Sequence, residues 1–158
     1  MNKVLDLPAL AEESRRLHAE GKRLVATNGC FDLLHVGHVR YLAAARRLGD
    51  ALVVGVNGDA SVGELKGAGR PLNNERDRAE VLTALEVVDY VAIFPQLRAT
   101  EFLLAASPSV YVKGGDYTVE SLNAEERGAL EKCGSKIEII SFQPGYSTTG
   151  LLAKMCDG

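Results

Sequence analysis

The sequence predicts an α/β protein built on a doubly wound, five-stranded parallel sheet with helices on both faces. Short runs rich in β-branched residues alternate with longer amphipathic segments through most of the 158 residues, as in a chain of βα units. The short runs are continuously apolar, a pattern typical of strands that are buried on both faces of a parallel sheet. Right-handed crossovers between such strands place helices on both sides.

The strand pattern occurs in residues 23–28, 51–57, 90–94, 109–113 and 136–141. In a doubly wound sheet, ligands bind beyond the carboxyl ends of the strands, where the strand order reverses. The candidate binding loops are therefore those that follow Asn28, Asn57, Lys113 and Ser141.

Helical patterns flank these strands. Gly21 ends the leading helix, because glycine is typical of helix ends, and Asn74 caps the helix predicted over 74–88, because asparagine is typical of helix starts. The predicted helices cover residues 7–20, 36–48, 74–88, 99–106, 121–132 and 148–155. Two apolar stripes are expected to face the sheet: Val39, Leu42, Ala43 and Ala45, and Val81, Leu82, Leu85 and Val88. We expect residues 1–158 to form one domain, with the leading helix in 1–21 and the core in 22–156.

Composition excludes several classes of protein. Hydrophobic residues make up 46% and charged residues 25%, which is ordinary for a globular domain. The formal net charge of −3 provides no basic field for nucleic acid or anionic lipid. Three cysteines without a CxxC spacing argue against a disulfide framework or zinc ribbon. With no signal-peptide pattern and no long apolar stretch, we expect a cytoplasmic protein without nucleic-acid or membrane partners.

Chemistry concentrates in the loop after the first strand, Asn28-Gly29-Cys30-Phe31-Asp32-Leu33-Leu34-His35-Val36-Gly37-His38. It is neither a Walker P-loop nor a GxGxxG fingerprint. His35 and His38 flank Gly37 where a helix begins, so both imidazoles lie near free backbone N–H groups and the positive end of the helix dipole. Gly37 lets a phosphate approach closely. The pattern therefore indicates a phosphate site.

Other interpretations of the two histidines remain open. Zinc would need a third protein ligand, and the third histidine of the chain, His18, lies on the leading helix. A general base is possible, although no serine or cysteine is spaced as a triad nucleophile. Two histidines at a helix start are also compatible with an ordinary polar surface.

The segment NGCFDLLHVGH resembles the signature of the HxGH nucleotidyltransferase superfamily. Further matches extend over about residues 23–155: Val56-Asn57-Gly58-Asp59, Leu65-Lys66-Gly67, Arg70-Pro71, Arg78, residues 84–89, Lys113-Gly114-Gly115-Asp116-Tyr117 and Gly145-Tyr146-Ser147-Thr148-Thr149. Together they resemble the heptose-1-phosphate adenylyltransferase family, which occurs alone or as the second half of a bifunctional kinase–transferase. The resemblance implies a Rossmann-like fold.

The resemblance also implies catalytic residues. His35 and His38 would bind the triphosphate and stabilise charge at the α-phosphate, and Lys66, in a glycine-bounded flexible loop, would close over the phosphates. Arg78 would bind phosphate, which agrees with its unfavourable place at a helix N-terminus. A solvated surface position is the alternative for Lys66, and Arg70 and Arg76 are equally compatible with ordinary surface charge.

Two further groups of site residues follow from the resemblance. Nucleotide binding is expected from Asn28, Gly29, Cys30, Phe31, Gly37, Lys113, Gly114, Tyr146, Ser147, Thr148 and Thr149. Sugar-phosphate binding is expected from Asp32, Asp59, Lys66, Arg70 and Asp116. An ordinary Gly-Gly-Asp turn at 114–116 and simple helix capping by 147–149 are the alternatives. No residue is expected to hold a metal, because Mg²⁺ would arrive with the triphosphate.

The implied reaction transfers AMP from ATP to D-glycero-β-D-manno-heptose 1-phosphate, releasing pyrophosphate, for the heptose core of lipopolysaccharide or a related glycan. A cytidylyltransferase acting on glycerol 3-phosphate is the first alternative, although Phe142 stands where those enzymes usually carry an arginine. A non-catalytic nucleotide-sensing module is the second. We expect a homodimer, and a separate heptose kinase upstream.

Overall fold

The computed structural model describes residues 2–115, 118–141 and 148–157. The strands are β1 (Leu24–Gly29), β2 (Ala51–Asn57), β3 (Tyr90–Phe94), β4 (Val110–Gly114) and β5 (Lys136–Ile140). The helices are α1 (Leu7–Ala19), α2 (Val36–Arg46), α3 (Asp59–Lys66), α4 (Glu75–Thr83), α5 (Thr100–Ala106), α6 (Ala124–Cys133) and α7 (Thr148–Asp157). Among these ranges, no helix has both the length and the apolar character needed to cross a membrane.

The five strands form one parallel sheet in the order β3-β2-β1-β4-β5. The chain runs outward from β1 through β2 to β3, then returns to the other side of β1 with β4 and β5. This reversal confirms the predicted Rossmann-like, doubly wound α/β fold, and it places the switch in strand order between β1 and β4. Ligands in such sheets bind beyond the carboxyl ends at that switch.

Apolar side chains fill both faces of the sheet. On one face, Leu42 of α2 and Leu82 of α4 pack with alternate side chains of the central strands. On the other face, Leu10 of α1, Phe102 of α5 and Leu130 of α6 do the same. All seven residues of β2 are buried, as the continuous apolar runs predicted.

The helix predicted over 74–88 is shorter in the structure. Asn74 caps it, its side chain accepting from Asp77 N at 2.9 Å, but α4 ends at Thr83 and turns connect it to β3. Val81 is 51% exposed and Val39 of α2 is 41% exposed, so their predicted burial was wrong. Of the same two predicted stripes, Leu82 and Leu42 are fully buried and pack against the sheet.

Helix α3 was not predicted, because its eight residues have no clear apolar stripe. It ends at Lys66, where Gly67 takes a positive φ of 97° that favours glycine. Lys66 is therefore the last helical residue rather than part of a flexible loop. The predicted helix over 121–132 begins later, at Ala124, because Asn123 caps it through its side chain.

Candidate active site

A cavity of about 790 Å³ opens at the carboxyl ends of β1, β2 and β4, at the switch in strand order. Its volume lies within the range typical of small-molecule sites. The predicted site residues that line it are Asn28, Gly29, Cys30, Phe31, Asp32, His35, His38, Lys66, Arg70, Lys113, Gly114 and Thr149. The topology thus brings together residues from both halves of the sequence.

The two histidines share a reciprocal cap at the start of α2. His35 is the N-cap, and its Nδ1 accepts from Gly37 N at 3.1 Å. The Nδ1 of His38 accepts from His35 N at 3.3 Å. The ring centroids lie 4.0 Å apart. Because both Nδ1 atoms accept hydrogen bonds, the neutral rings carry their protons on Nε2.

Both imidazoles are held neutral. Burial lowers the pKa of His38 to about 4, with a smaller contribution from the neighbouring His35. Burial also lowers the pKa of His35. At neutral pH the pair therefore presents N–H donors that carry no net charge.

This shift predicts acid sensitivity of the fold. The unfolded chain binds protons at these rings near the ordinary pKa of 6.5, whereas folded His38 resists protonation down to about pH 4. The stability that neutral His38 contributes is therefore fully present above pH 6.5. It is lost progressively as the pH falls from 6.5 toward 4. We expect His38→Asn, which keeps an acceptor for His35 N, to lose about 1–2 kcal/mol less than the wild type across this window, after solvent screening. Urea unfolding at pH 7.5 and 4.5 measures the difference; equal losses in both proteins would contradict it.

The turn before α2 is tightly shaped by Phe31. Phe31 has a φ of +48°, a left-handed conformation that is costly for a residue with a bulky side chain. Its ring lies 5.5 Å from that of His38. A Cβ added at Gly29 would meet the Phe31 ring at 3.0 Å. Glycine at 29 therefore lets the aromatic ring fold back beside the histidine pair.

Tyr41 anchors α2 one turn after His38. Its buried hydroxyl donates to Val112 O on β4 at 3.1 Å and accepts from Thr27 Oγ1 on β1 at 2.7 Å. Burial raises the pKa of Tyr41 to about 12, so the hydroxyl stays protonated. These bonds fix α2, and hence the histidine pair, against the two strands that flank the switch.

Asp32 lines the cavity, but its carboxylate is bound within the protein, a geometry that its predicted role in binding the sugar phosphate did not include. It is 3% exposed, and its oxygens accept from Leu72 N at 2.8 Å, Asn73 N at 3.0 Å and Arg70 Nε at 2.7 Å. Burial acts to raise its pKa, but the hydrogen bonds from Asn73, Leu72 and Arg70 outweigh it and the pKa lies below its usual value. Asp32 therefore fastens the 70–73 segment to the first loop, and Arg70 lines the cavity as its ion partner.

Arg78 is placed differently from the prediction. It is 2% exposed and lies outside the cavity lining. Its guanidinium donates to three carbonyls, Asn73 O at 2.9 Å, Cys30 O at 2.7 Å and Asn57 O at 2.8 Å, and to the Asp59 carboxylate at 2.8 Å. Four N–H donors are thus used within the protein, and Arg78 joins the loops after β1 and β2. Asp59 also lies outside the lining.

The remaining predicted residues differ in their surroundings. Lys66 is exposed at the cavity, at the end of α3. Burial raises the pKa of the Cys30 thiol, which disfavours the nucleophilic thiolate. Gly37 is buried in α2. Asp116, Tyr146 and Ser147, and the side chain of Thr148, lie outside the described residues.

Sequence reasoning missed one side of the cavity. Leu97 and Arg98, after β3, and Asn123 and Glu126, at the start of α6, line it as well. No motif marks them, and their proximity depends on the packing of α5 against α6. Within 2–115, 118–141 and 148–157, no three His, Cys, Asp or Glu side chains are grouped so as to hold a metal ion.

Comparison with known sequences places the chain in a family. A model described as cytidylyltransferase-like matches residues 26–153. The chain is 49% identical over 156 residues to "Bifunctional protein HldE" of Geotalea uraniireducens (strain Rf4) and 47% identical over 154 residues to the protein of that name from Citrifermentans bemidjiense. These matches cover 99% and 98% of this chain but 31% of each relative. The chain therefore spans about a third of the length of the relatives it matches.

Solved structures agree with the fold. The lipopolysaccharide core biosynthesis protein from Thermoplasma volcanium GSS1 has a TM-score of 0.64 and 27% identity, covering 78% of this chain and 98% of that one. The pantoate-beta-alanine ligase from Francisella tularensis, at 12% identity, has a TM-score of 0.59 and covers 90% of this chain and 68% of that one; it supports the fold alone. From the matched residues and the histidine pair at the switch in strand order, this chain belongs to the cytidylyltransferase-like family.

Proposed function

We propose that this chain is a nucleotidyltransferase domain that transfers AMP from ATP to D-glycero-β-D-manno-heptose 1-phosphate. The histidine pair carries the proposal. Both rings have Nδ1 engaged by backbone N–H groups, so their neutral form donates through Nε2 at the cavity. Ligands bind at the switch in strand order, and fixed N–H donors there can stabilise the charge that develops on a triphosphate during the transfer.

The reaction needs little covalent chemistry from the protein. An oxygen of the sugar phosphate attacks the α-phosphorus, the bond between that phosphorus and the bridging oxygen breaks, and pyrophosphate leaves. Positioning and stabilisation of charge supply most of the rate in such transfers. His35 and His38 donate to the phosphoryl oxygens as charge develops. Lys66 and Lys113 provide positive charge around the cavity, and Arg70 lies there paired with Asp32.

MgATP is the proposed nucleotide substrate. The family supports a nucleoside triphosphate, and Mg²⁺ would travel on its phosphate oxygens, since the carboxylate of Asp32 at the cavity is already bound by Arg70 and two backbone N–H groups. The bound ion would offset phosphate charge.

The heptose phosphate is supported by the relatives named HldE and by the lipopolysaccharide core biosynthesis protein among the structural neighbours. The sugar must be phosphorylated before it enters the site, so a heptose kinase activity outside this domain is required by the proposal. We further propose that residues 1–158 act as one domain, in the cytoplasm and as a homodimer.

A matrix of nucleotides and acceptors tests the proposal. ATP, CTP, GTP and UTP are each combined with the heptose 1-phosphate, D-mannose 1-phosphate or glycerol 3-phosphate, and pyrophosphate release is measured. We expect the fastest turnover with ATP and the heptose 1-phosphate, and ADP-heptose as the product by mass spectrometry. Turnover with CTP and glycerol 3-phosphate alone would replace the proposal with the cytidylyltransferase alternative. Nucleotide binding without pyrophosphate from any pair would favour a sensing module.

A further inference from the structure

Part of the cavity is built from residues that the nucleotidyltransferase motifs do not include. We call it the acceptor arm: Leu97 and Arg98 after β3, and Leu122, Asn123 and Glu126 at the start of α6. The motif residues of the lining lie at the ends of β1, β2 and β4, at the start of α2 and α7, and at and after the end of α3. Two substrates must enter the cavity for an adenylyl transfer, and the arm is the part of the lining that these motifs do not supply.

Glu126 is the central feature of the acceptor arm. The residue is 8% exposed, and one carboxylate oxygen accepts from Ala99 N, just before α5, at 2.9 Å. No hydrogen bond or ion pair to the other carboxylate oxygen occurs among the described residues. Because Glu126 lines the cavity, this second oxygen can accept a hydrogen bond from a ligand there.

Asn123 and Arg98 supply complementary donors. The side-chain oxygen of Asn123 caps α6, accepting from Glu125 N at 3.0 Å and Glu126 N at 3.3 Å. This leaves its amide nitrogen as a donor at the cavity. Arg98 is exposed at the cavity, and in the described part of the chain its guanidinium makes no ion pair with Glu126 or any other acid.

The charges differ between the two parts of the cavity. Around the histidine pair, Lys66 and Lys113 are cationic and suit phosphates, while Arg70 is paired with Asp32. In the acceptor arm, Glu126 and Arg98 carry opposite charges, and the Glu126 carboxylate can accept from neutral hydroxyls. A polyol matches this set, because each hydroxyl both donates and accepts.

We propose that the acceptor arm binds the hydroxyl-bearing carbons of the sugar phosphate, with Glu126 accepting from at least one sugar hydroxyl and Asn123 donating to another. The inference rests on the proposed function for the identity of the sugar. The lysines beside the histidine pair, Lys66 and Lys113, attract the phosphate of the sugar to that end of the cavity. In the arm, Arg98 offsets the charge of Glu126. Glu126 and Asn123 are then specificity residues for the acceptor.

Direct binding tests the acceptor arm without relying on turnover. The protein is first saturated with α,β-methylene-ATP and Mg²⁺, and the heptose 1-phosphate or D-mannose 1-phosphate is titrated by calorimetry. The variants are Glu126→Ala, Glu126→Gln, which keeps an acceptor for Ala99 N, and Asn123→Ser, which keeps a helix cap. The matched control is Glu125→Gln, an exposed neighbour on α6.

We expect the Kd of the sugar phosphate to rise about 10- to 100-fold in Glu126→Ala, and less in Glu126→Gln and Asn123→Ser, since hydrogen bonds to a charged group are among the stronger ones. The Kd of α,β-methylene-ATP should stay within about twofold, and Glu125→Gln should match the wild type. Sugar-phosphate binding that is unchanged in folded Glu126→Gln and Glu126→Ala overturns the inference. So does an equal loss of nucleotide affinity, which would assign the arm to the nucleotide.

The same titrations separate this inference from the proposed function. A wild type that binds the sugar phosphate through Glu126 but forms no ADP-heptose supports the acceptor arm and overturns the proposed reaction. A wild type that binds neither sugar phosphate overturns both.

Discussion

Replacing His38 by alanine is expected to lower kcat about 10²–10³-fold, which corresponds to about 3–4 kcal/mol of lost transition-state stabilisation. His38 is held in place through Nδ1 by His35 N and presents a neutral donor at the cavity, since burial keeps its pKa near 4. A donor fixed before the reaction costs no reorganisation when charge develops on the α-phosphate. The loss should therefore fall on kcat more than on the KM for ATP.

Two measurements make the result specific. His38→Ala should keep its Tm within a few degrees of the wild type, because the residue is only partly buried and its hydrogen bond from His35 N is long, at 3.3 Å. His18→Ala, which removes an exposed imidazole on α1, should retain full turnover. A His38→Ala protein that unfolds would show that the ring is structural, and a folded one with unchanged kcat would contradict its catalytic role.

The second large effect is expected at Arg78. Replacing it by methionine should lower the free energy of unfolding by about 3–5 kcal/mol, as when one partner of a buried charge network is removed. The carbonyls of Cys30, Asn57 and Asn73 would lose their donor, and a buried acceptor without a partner is costly. Urea unfolding with a common m-value measures the change.

The control for Arg78 is Arg76→Met, an exposed arginine on the same helix, which should change stability by less than about 0.5 kcal/mol. Asp59→Asn should cost less than Arg78→Met, because the Asp59 side chain is 41% exposed. If Arg78→Met keeps full stability but loses turnover, Arg78 contacts phosphate after all and its placement here is wrong.

The fold could be predicted from the sequence because its strongest signal is local. The run from Ala51 to Val56 is continuously apolar, and β2 is buried throughout. The same reasoning identified the other strands. The burial of helix residues was predicted less accurately, since Val81 continues an apolar stripe in sequence but is 51% exposed. Whether an apolar stripe is buried depends on where the neighbouring element packs, and the periodicity of the sequence carries no information about that packing.

In the candidate site, too, the residues that lie close together in sequence could be predicted, whereas contacts between distant residues could not. His35 and His38 could be identified because a compact motif places both rings at one helix start. Asp32 was assigned to the substrate, yet its partners are Arg70, Leu72 and Asn73, about 40 positions away in sequence. Glu126 was missed because its contact with Ala99 N crosses between two helices. Hydrogen bonds over such separations decide whether a polar residue faces a ligand or the protein.

A crystal structure with α,β-methylene-ATP and Mg²⁺ tests the central role of the paired imidazoles most directly. We expect phosphate oxygens at hydrogen-bond distance, about 2.7–3.2 Å, from Nε2 of His35 and His38, with the acceptor arm left for the sugar. A fully occupied triphosphate lying out of reach of both rings would contradict this account.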